Sequence, residues 1–390
     1  MFEKEPIFIP KLQDQKNSEA GYIFPAVLMD ADHIIWRTNS AKKVKEFAKI
    51  FIVDPVTHYI MFNEAKDKVN FKKLGYPKNV QSGKIYSDSD FRREEIIIPA
   101  IENQIKMGAD MIIAPYFFAV DTDDLKFGIN ISMITETIRY TEGKGINKPI
   151  FAKIQLGDNV LCRPSIANYI VDRYRDDFSH KIKGYFISFD ELDCKTATEE
   201  TLKGLGYMSF QLSEGKKVIV QSIGAFGEIL SAIGLTGFSS GLGEGESLRV
   251  KNLEKKPKGW SSKKVKKTYI PELFDKVNDE VVKKIKYKCS CFACQGSFPT
   301  SEPAKKQHFI NRKIELMDVL DKLDRMKRIA LLEEKLSRAI ELADAYNKKF
   351  ATDLEAVHLK RWLNILQLSK SWSYDADDDK LDELLQDLEK

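Results

Sequence analysis

The sequence predicts an α/β protein with a TIM (β/α)8-like barrel, a small cysteine-containing module and C-terminal helices. Over the first two-thirds of the 390 residues, short apolar runs alternate with amphipathic stretches of helical length. Several runs, such as FIVDP and MIIAPYFF, are apolar on both faces, which suits strands buried in a parallel sheet. A Rossmann sheet would need a glycine-rich turn after its first strand, and MDADHIIWR has none. The alternation therefore favours a closed barrel.

The strand candidates are Tyr22–Asp30, Ile50–Asp54, Asp110–Phe118, Pro149–Leu156, Gly184–Phe189, Lys217–Ser222 and a weaker run at Gly237–Ser240, with Pro6–Pro10 as one candidate for an eighth. The helical stretches between them include AKKVKEFAK, ISMITETIRY, PSIANYIVDRY, TEETLKGL and GEILSAIG. Another spans Arg92–Gly108, where Gly108 is a fitting C-terminal cap and Pro99 predicts a kink or a late start.

Composition and charge narrow the class of protein. Hydrophobic residues make up 43% and charged residues 31% of the chain, which argues against bulk disorder. The N-terminus lacks a signal-peptide core, and no stretch approaches about 20 apolar residues, so we expect a soluble, cytoplasmic protein without membrane contact. We divide the chain into a barrel (1–250), a basic loop with a metal-binding module (251–315) and a C-terminal helical segment with an acidic tail (316–390). Within that division we expect long helices over Arg312–Lys349 and Asp353–Lys370.

Polar residues gather where the apolar runs end. Because the active site of a β/α barrel lies at the C-terminal ends of its strands, these residues are candidates for chemistry. Each one alone could equally cap a helix or occupy a loop. They include Asp30, Asp32, Asp54, His58, Gln155, Asp158, Asp190, Glu191, Gln221, Ser222, Glu244 and Glu246.

Three of the five cysteines fall within six positions. Cys289, Cys291 and Cys294 form C-x-C-x-x-C, and His308 follows fourteen residues later. Three sulfurs and one imidazole nitrogen match a closed tetrahedral zinc site, and four protein ligands would leave no open position. We therefore expect a structural Zn2+. The other two cysteines are expected to be packed thiols.

The cysteine cluster, placed after a β/α barrel, resembles the zinc module of the tRNA-guanine transglycosylases. IVDPVTH resembles the family's D-S-G-G-F-Q strand end, with Asp54 at its aspartate. IFAKIQLG resembles its I-V-Q-G-G strand, which puts Gln155 and Gly157 at the base-recognising glutamine and glycine. GYFISFDEL resembles the segment that ends in a Gly-Gly-Leu contact to the base, with Ser188 and Phe189 in place of the glycines.

One further segment, VQSIGAFGEILSAIGLTGFSS, resembles the family's M-G-V-G-x-P-E-D-L-L-E-A-V stretch and the strand after it, and makes Gly224 a substrate-binding candidate. The family's nucleophilic aspartate follows a phenylalanine on that strand, whereas here Phe238 is followed by Ser239. Guanine exchange needs a carboxylate to trap the ribosyl carbon. Besides Ser239, the catalytic candidates are therefore Asp54, Asp190 and Glu244.

The resemblance implies exchange of guanine for a 7-deazaguanine base in DNA or tRNA by a homo- or hetero-oligomer, and the departures favour the DNA-modifying branch. The Lys-rich segment Lys251–Lys267, with Arg312 and Lys313, would then hold phosphates. One alternative is a non-catalytic, nucleic-acid-binding subunit that keeps the barrel and the zinc module. The other is an unrelated TIM-barrel enzyme, in which Gly241, Gly243 and Gly245 cradle a phosphate.

Overall fold

The computed structural model describes residues 2–12, 23–76, 82–178, 180–242, 248–255, 266–291 and 294–374. The barrel strands within these ranges are β1 (Ile7–Lys11), β2 (Val27–Asp30), β3 (Phe51–Asp54), β4 (Ile112–Ile113), β5 (Ile150–Gly157), β6 (Gly184–Asp190), β7 (Lys217–Gln221) and β8 (Gly237–Gly241). These eight form one parallel sheet, in the order β3-β2-β1-β8-β7-β6-β5-β4. The predicted barrel is confirmed, and the Pro6–Pro10 candidate is β1.

The sheet is nearly closed, and side chains bridge its seam between β3 and β4. The N–H of Asp110 donates to the carbonyl of Phe51 at 2.9 Å, and the carboxylate of Asp110 accepts the Phe51 N–H at 2.6 Å. The side-chain amide of Gln104, on the helix Ile98–Lys106, bonds both backbone groups of Ile113 on β4. It accepts from the Ile113 N–H at 2.8 Å and donates to the Ile113 carbonyl at 2.9 Å. The buried Gln104 thus replaces a peptide group of a neighbouring strand, which satisfies an edge that would otherwise be unpaired.

Helices follow most strands and cover the outside of the barrel. Their bounds are α1 (Ala31–Trp36), α2 (Thr38–Glu46), α3 (Asn63–Lys66), α4 (Val69–Lys72), α5 (Ser82–Ser87), α6 (Ser89–Arg92), α7 (Ile98–Lys106), α8 (Leu125–Gly143), α9 (Pro164–Phe178), α10 (Glu199–Leu212) and α11 (Phe226–Ile233). The stretch predicted as Arg92–Gly108 is helical without a break from Ser89 to Lys106, because α6 continues through a π-helical turn at Arg93–Ile97 into α7. Pro99 therefore does not mark a late start; it lies in the first turn of α7, directly after the π-helical turn. Gly108 ends the stretch with a φ of +79°.

Side chains alternate strictly between the two faces of the barrel wall. Phe8, Met29 and Val53 point outward to the helices, whereas Ile9, Leu28 and Ile52 point inward. Towards the N-terminal ends of the strands, the inward side chains form an apolar core. It includes Ile113, Phe151, Phe186 and Ile219. The same parity continues to the C-terminal ends of the strands, where the inward positions become polar. The barrel therefore has an apolar floor and a polar mouth.

The rest of the chain adds a hairpin and helices. Its elements are β9 (Lys267–Ile270), β10 (Asp275–Asn278), α12 (Asp279–Lys284), α13 (Glu302–Leu320), α14 (Arg325–Phe350) and α15 (Val357–Ser369). The prediction of a single helix over Arg312–Lys349 is wrong, because α13 ends at Leu320 and a second helix, α14, starts at Arg325 with Asp324 as its cap. The acidic tail lies outside the described residues. Among the helices that are described, none is long and apolar enough to cross a membrane.

Candidate metal cluster and barrel mouth

The cysteine motif folds into a tight knuckle that gathers three sulfur atoms. The carbonyl of Cys291 accepts the N–H groups of Cys294 at 2.9 Å and of Gln295 at 3.0 Å, and the Cys291 N–H donates to Cys289 Sγ at 3.4 Å. His308 enters from the first turns of α13, with Nδ1 3.4 Å from Cys291 Sγ and 3.2 Å from Cys294 Sγ. The four ligand atoms lie within 4.8 Å of one another and all four residues are buried. This cluster could hold a metal ion.

The second ring nitrogen of His308 fixes its orientation and tautomer. Nε2 lies 2.7 Å from the carbonyl of Tyr269, and because a carbonyl can only accept, Nε2 carries the hydrogen. The lone pair of Nδ1 then faces the sulfurs, which is the arrangement that metal-binding histidines adopt. The donor set fits a closed tetrahedral Zn2+ site, with Cys289, Cys291, Cys294 and His308 as its ligands.

Tyr269 also ties this cluster to the barrel. Its hydroxyl donates to Glu228 Oε1 on α11 at 3.0 Å and lies 2.9 Å from Lys313 Nζ, which itself contacts Glu228. Lys313 and Glu228 are almost fully buried. The prediction that Lys313 holds phosphates is therefore wrong, because its ammonium group lies inside the protein. Arg312, on the same helix, pairs with Glu315 of that helix and with Glu272, which lies between β9 and β10.

At the barrel mouth, Asp54 is held by two donors at the end of β3. Its Oδ1 accepts from the N–H of Val56 at 2.9 Å and from the hydroxyl of Tyr116 at 2.7 Å, and its Oδ2 lies 3.7 Å from Lys153 Nζ. Asp54 is 3% exposed. One carboxylate oxygen is thus fixed by hydrogen bonds and the other faces a lysine on β5. On the neighbouring strands, Lys11 Nζ lies 2.7 Å from Asp30 Oδ1.

Charges and burial set the protonation of this group. Burial raises the pKa of Asp54, but the charges of Lys153 and Lys11 outweigh it, so the net shift is downward and Asp54 is ionised. Burial lowers the pKa of Lys153 to about 8, even though Asp54 opposes the shift. Burial also lowers the pKa of His58 to about 3, so this imidazole, stacked on Tyr116, is neutral. The mouth therefore combines an ionised carboxylate with a lysine that titrates near neutrality.

The four adjacent strands β5 to β8 carry, at their inward positions, a row of uncharged polar side chains, which we call the polar row: Gln155, Ser188, Gln221 and Ser239. Strand register pairs Gln155 with Ser188 and Gln221 with Ser239, and the pairing of Ile187 with Val220 puts Ser188 level with Gln221. All four are at least 94% buried. In the described part of the chain, no hydrogen-bond partner contacts Gln155 Oε1, Gln221 Nε2 or either serine hydroxyl.

Unsatisfied polar atoms are rare inside proteins and need an explanation. These four lie in one row across about 14 Å of barrel wall, at roughly 4.8 Å per strand, where waters or a polar ligand would satisfy them.

Three of the seven described non-glycine residues with a positive φ lie at the same end of the barrel. Val56, Glu191 and Ser222 follow the ends of β3, β6 and β7, and their φ angles are +49°, +58° and +61°. A β-branched residue rarely adopts such a conformation, and each instance costs on the order of 1–3 kcal/mol. At Val56 the strained turn aims its N–H at Asp54. Strain of this kind concentrates at functional sites.

The remaining predicted residues fall in different places. Asp190 points inward at the end of β6, and its Oδ1 accepts the Val250 N–H at 2.5 Å; burial raises its pKa. Gly157 leaves no room for a side chain, because a Cβ would lie 2.6 Å from the carbonyl of Val120. Gly224, with a φ of +56°, lies in the turn before α11 and lines a separate cavity. Glu244 and most of the Lys-rich segment lie outside the described residues.

Sequence reasoning missed Lys153, Lys11 and Tyr116. A signal for Lys153 was present, since a lysine in the middle of IFAKIQLG interrupts a strand that is buried on both faces. Tyr116 was counted among the apolar residues of its run. The expectation of two packed thiols was half wrong, because Cys194 is buried and Cys162 is exposed.

Comparison of the chain with known protein families, with curated proteins and with solved structures gives no match.

Proposed function

We propose that the protein is a divergent transglycosylase that exchanges guanine for a 7-deazaguanine base in DNA or tRNA, with the barrel mouth as its active site. The observation that carries this proposal is the polar row, which lies at the same end of the barrel as the ionised Asp54. Amide and hydroxyl atoms with no partner among the described residues suit a neutral ligand that offers both donors and acceptors along its edge. A nucleobase has this chemistry, and the Gln155 amide can read one through paired hydrogen bonds.

Asp54 is the nucleophile in this mechanism. Its Oδ2, the oxygen not fixed by Val56 and Tyr116, attacks C1′ of the sugar; the C1′–N9 bond breaks and its electron pair leaves with the guanine. The departing guanine takes up one proton. The incoming base then gives up one proton, attacks C1′ and releases the Asp54 carboxylate, so that protons and charge balance over the exchange. Lys153 stabilises the ionised form of Asp54 before attack.

The metal cluster has a structural role in this proposal. The residues that would hold a Zn2+ are the three cysteines of the motif and His308. Bound there, the ion would cross-link the knuckle to α13 and supply folding free energy.

A second candidate is a non-catalytic, nucleic-acid-binding subunit of the same family. Ser239 favours it, because β8 carries a buried hydroxyl where the resemblance implies the nucleophilic carboxylate. A third candidate is an unrelated TIM-barrel enzyme, favoured by Lys153. A buried lysine with a pKa near 8 can attack a carbonyl carbon to form a Schiff base.

A guanine-exchange assay separates these candidates. The protein is incubated with duplex DNA or tRNA carrying labelled guanine, and with free 7-deazaguanine base. Asp54→Asn is the test variant, and Asp344→Asn, an exposed carboxylate on α14, is the matched control. We expect release of label by the native protein and by the control, and a loss of about 100-fold or more in Asp54→Asn.

Undiminished release by Asp54→Asn would remove Asp54 as the nucleophile. Salt-dependent binding of nucleic acid without any release would favour the non-catalytic subunit. If the protein neither exchanges nor binds, borohydride trapping of a carbonyl compound on Lys153 would favour the unrelated enzyme.

A further inference from the structure

A separate cavity of about 220 Å³ opens beside the barrel mouth, between the loops that follow β6 and β7 and the β9–β10 hairpin. Its lining includes Lys195 after β6, Gly224 and Ala225 before α11, and Lys267 and Lys276 on the hairpin. At roughly 30 Å³ per water molecule, it has room for about seven waters, or for a phosphate group with part of a sugar. The strands that lead into it, β6 and β7, also carry Ser188 and Gln221 of the polar row.

The charge of this cavity is positive. Its lining holds three ammonium groups and one carboxylate, Asp193, whose Oδ1 accepts the backbone N–H of Lys195 at 3.0 Å. A second carboxylate, Asp275, contacts Lys195 Nζ but does not line the cavity. Lys267 is exposed and Lys276 is half-buried, with its Nζ 4.6 Å from the ring centre of Phe309. Among the residues that line the cavity, the three ammonium groups outnumber the one carboxylate.

The backbone adds donors to the lysines. The carbonyls of Gly224 and Ala225 accept from Gly227 and Glu228, which winds these residues into the first turn of α11. The first N–H groups of a helix have no partner within the helix, and together with the helix dipole they favour an anion. The opposite wall is held rigid, since Trp362 Nε1 donates to the carbonyl of Cys194 at 2.9 Å and Arg361 contacts the carbonyl of Lys195.

We propose that this cavity, which we call the lysine cavity, binds the phosphate group of a phosphate ester, with Lys195, Lys267, Lys276 and the start of α11 as its donors. In β/α barrels, phosphate sites form at the loops after the late strands and at a helix N-terminus, as here. Ammonium groups act as point charges for phosphate. The identity of the carrier rests on the proposed function: a transglycosylase would place a backbone phosphate of its nucleic acid here. A free nucleotide would bring the same group.

The test is titration of the full chain with three probes: inorganic phosphate, guanosine monophosphate and a single-stranded oligonucleotide. The variants are Lys267→Gln and the double variant Lys195→Gln/Lys267→Gln. The matched control is Lys106→Gln/Lys183→Gln, which removes the same charge from exposed lysines at the N-terminal ends of β4 and β6, on the opposite face of the barrel. Thermal unfolding of each variant checks that it is folded; Lys267→Gln changes an exposed side chain and keeps the test valid if the double variant is unstable.

We expect phosphate binding to weaken about tenfold in the double variant and to be unchanged in the control. The carrier is a nucleic acid if binding of the oligonucleotide weakens in parallel with binding of phosphate. In that case the slope of log affinity against log salt concentration should also fall by about one for each lysine removed. If only the binding of phosphate and of the mononucleotide weakens, the lysine cavity is a binding site for a small phosphate ester. Equal binding of all three probes by variant and control would overturn the inference. Because inorganic phosphate reports on the cavity without any exchange reaction, loss of the proposed function would leave this result intact.

Discussion

The metal cluster and the barrel mouth both contain buried polar atoms, but the two regions differ in whether those atoms have partners. In the cluster, Nδ1 of His308 faces two sulfur atoms and Nε2 donates a hydrogen bond to the carbonyl of Tyr269, so each ring nitrogen has a partner. In the barrel mouth, the polar row leaves four atoms without a partner among the described residues. A donor set without an open position suits a structural ion, whereas polar atoms without partners suit a ligand that binds reversibly. Buried polarity alone therefore does not distinguish these roles.

The two regions also differ in charge. The cluster gathers thiols that become anionic only with a cation, whereas the mouth already contains opposite charges in Lys11, Asp30, Asp54 and Lys153. Breaking the cluster should therefore act on folding, and breaking the mouth should act on folding and ligand binding together.

Loss of the metal should have the largest effect. We expect the native protein to carry one zinc and Cys291→Ser to carry almost none. Because a structural zinc contributes on the order of 10 kcal/mol to folding, the variant and the chelator-treated protein should lose the fold of the module around α13. Metal analysis and thermal unfolding measure both effects. Cys162→Ser, at an exposed thiol, is the matched control. Equal unfolding curves with and without chelator would contradict a structural ion.

The next largest effect should follow removal of the charge on Asp54. Asp54→Asn leaves Lys153 without its buried counter-charge, which typically costs about 3–5 kcal/mol of unfolding free energy. The double variant Asp54→Asn/Lys153→Met should recover part of that loss, because it removes the unpaired charge. Denaturant unfolding at pH 7 gives the values, with Asp344→Asn as the exposed control. If Asp54→Asn is no more destabilising than the control, Asp54 and Lys153 do not form a charged pair.

The sequence was sufficient for most of the barrel and for the cluster. Runs such as FIVDP and KVIVQS are buried on both faces, and only a parallel sheet covered by helices gives them that burial. The spacing of Cys289, Cys291 and Cys294 places the sulfurs on one knuckle by local geometry, so only His308 had to come from elsewhere. Local patterns therefore predict what local geometry determines.

The barrel mouth was only partly predictable, because its contacts join strands far apart in sequence. Asp54 and Lys153 lie on β3 and β5, and no local pattern states that their side chains meet. The polar row depends on the register of four strands, which the sequence does not give. Lys313 shows the opposite error: a lysine on a basic helix was expected at the surface, yet it is buried beside Glu228 and Tyr269.

A smaller effect should appear in the pH dependence of stability. Burial lowers the pKa of Lys153 to about 8, below the value of 10.5 that it has when exposed in the unfolded chain. Between these two pH values the unfolded state binds more protons, so this group makes stability rise with pH. The slope should approach about 1.4 kcal/mol per pH unit and be absent from Lys153→Met. Denaturant unfolding of both proteins from pH 7 to 10.5 gives the difference curve. A flat difference would contradict a buried, charged Lys153.

The smallest effect, and the most direct test of the comparison, comes from single hydroxyl groups. Ser188 and Ser209 are both buried with an unpartnered Oγ, but Ser188 lies in the polar row and Ser209 in α10. Replacing either by alanine removes no protein hydrogen bond, so neither variant should lose stability. Only Ser188→Ala should weaken binding of guanine or 7-deazaguanine, by about 1 kcal/mol or roughly fivefold in calorimetry, because a ligand hydrogen bond is lost. If both variants bind equally well, the unmet hydroxyl of the polar row does not contact the base, and Gln155 or Gln221 must account for recognition without it.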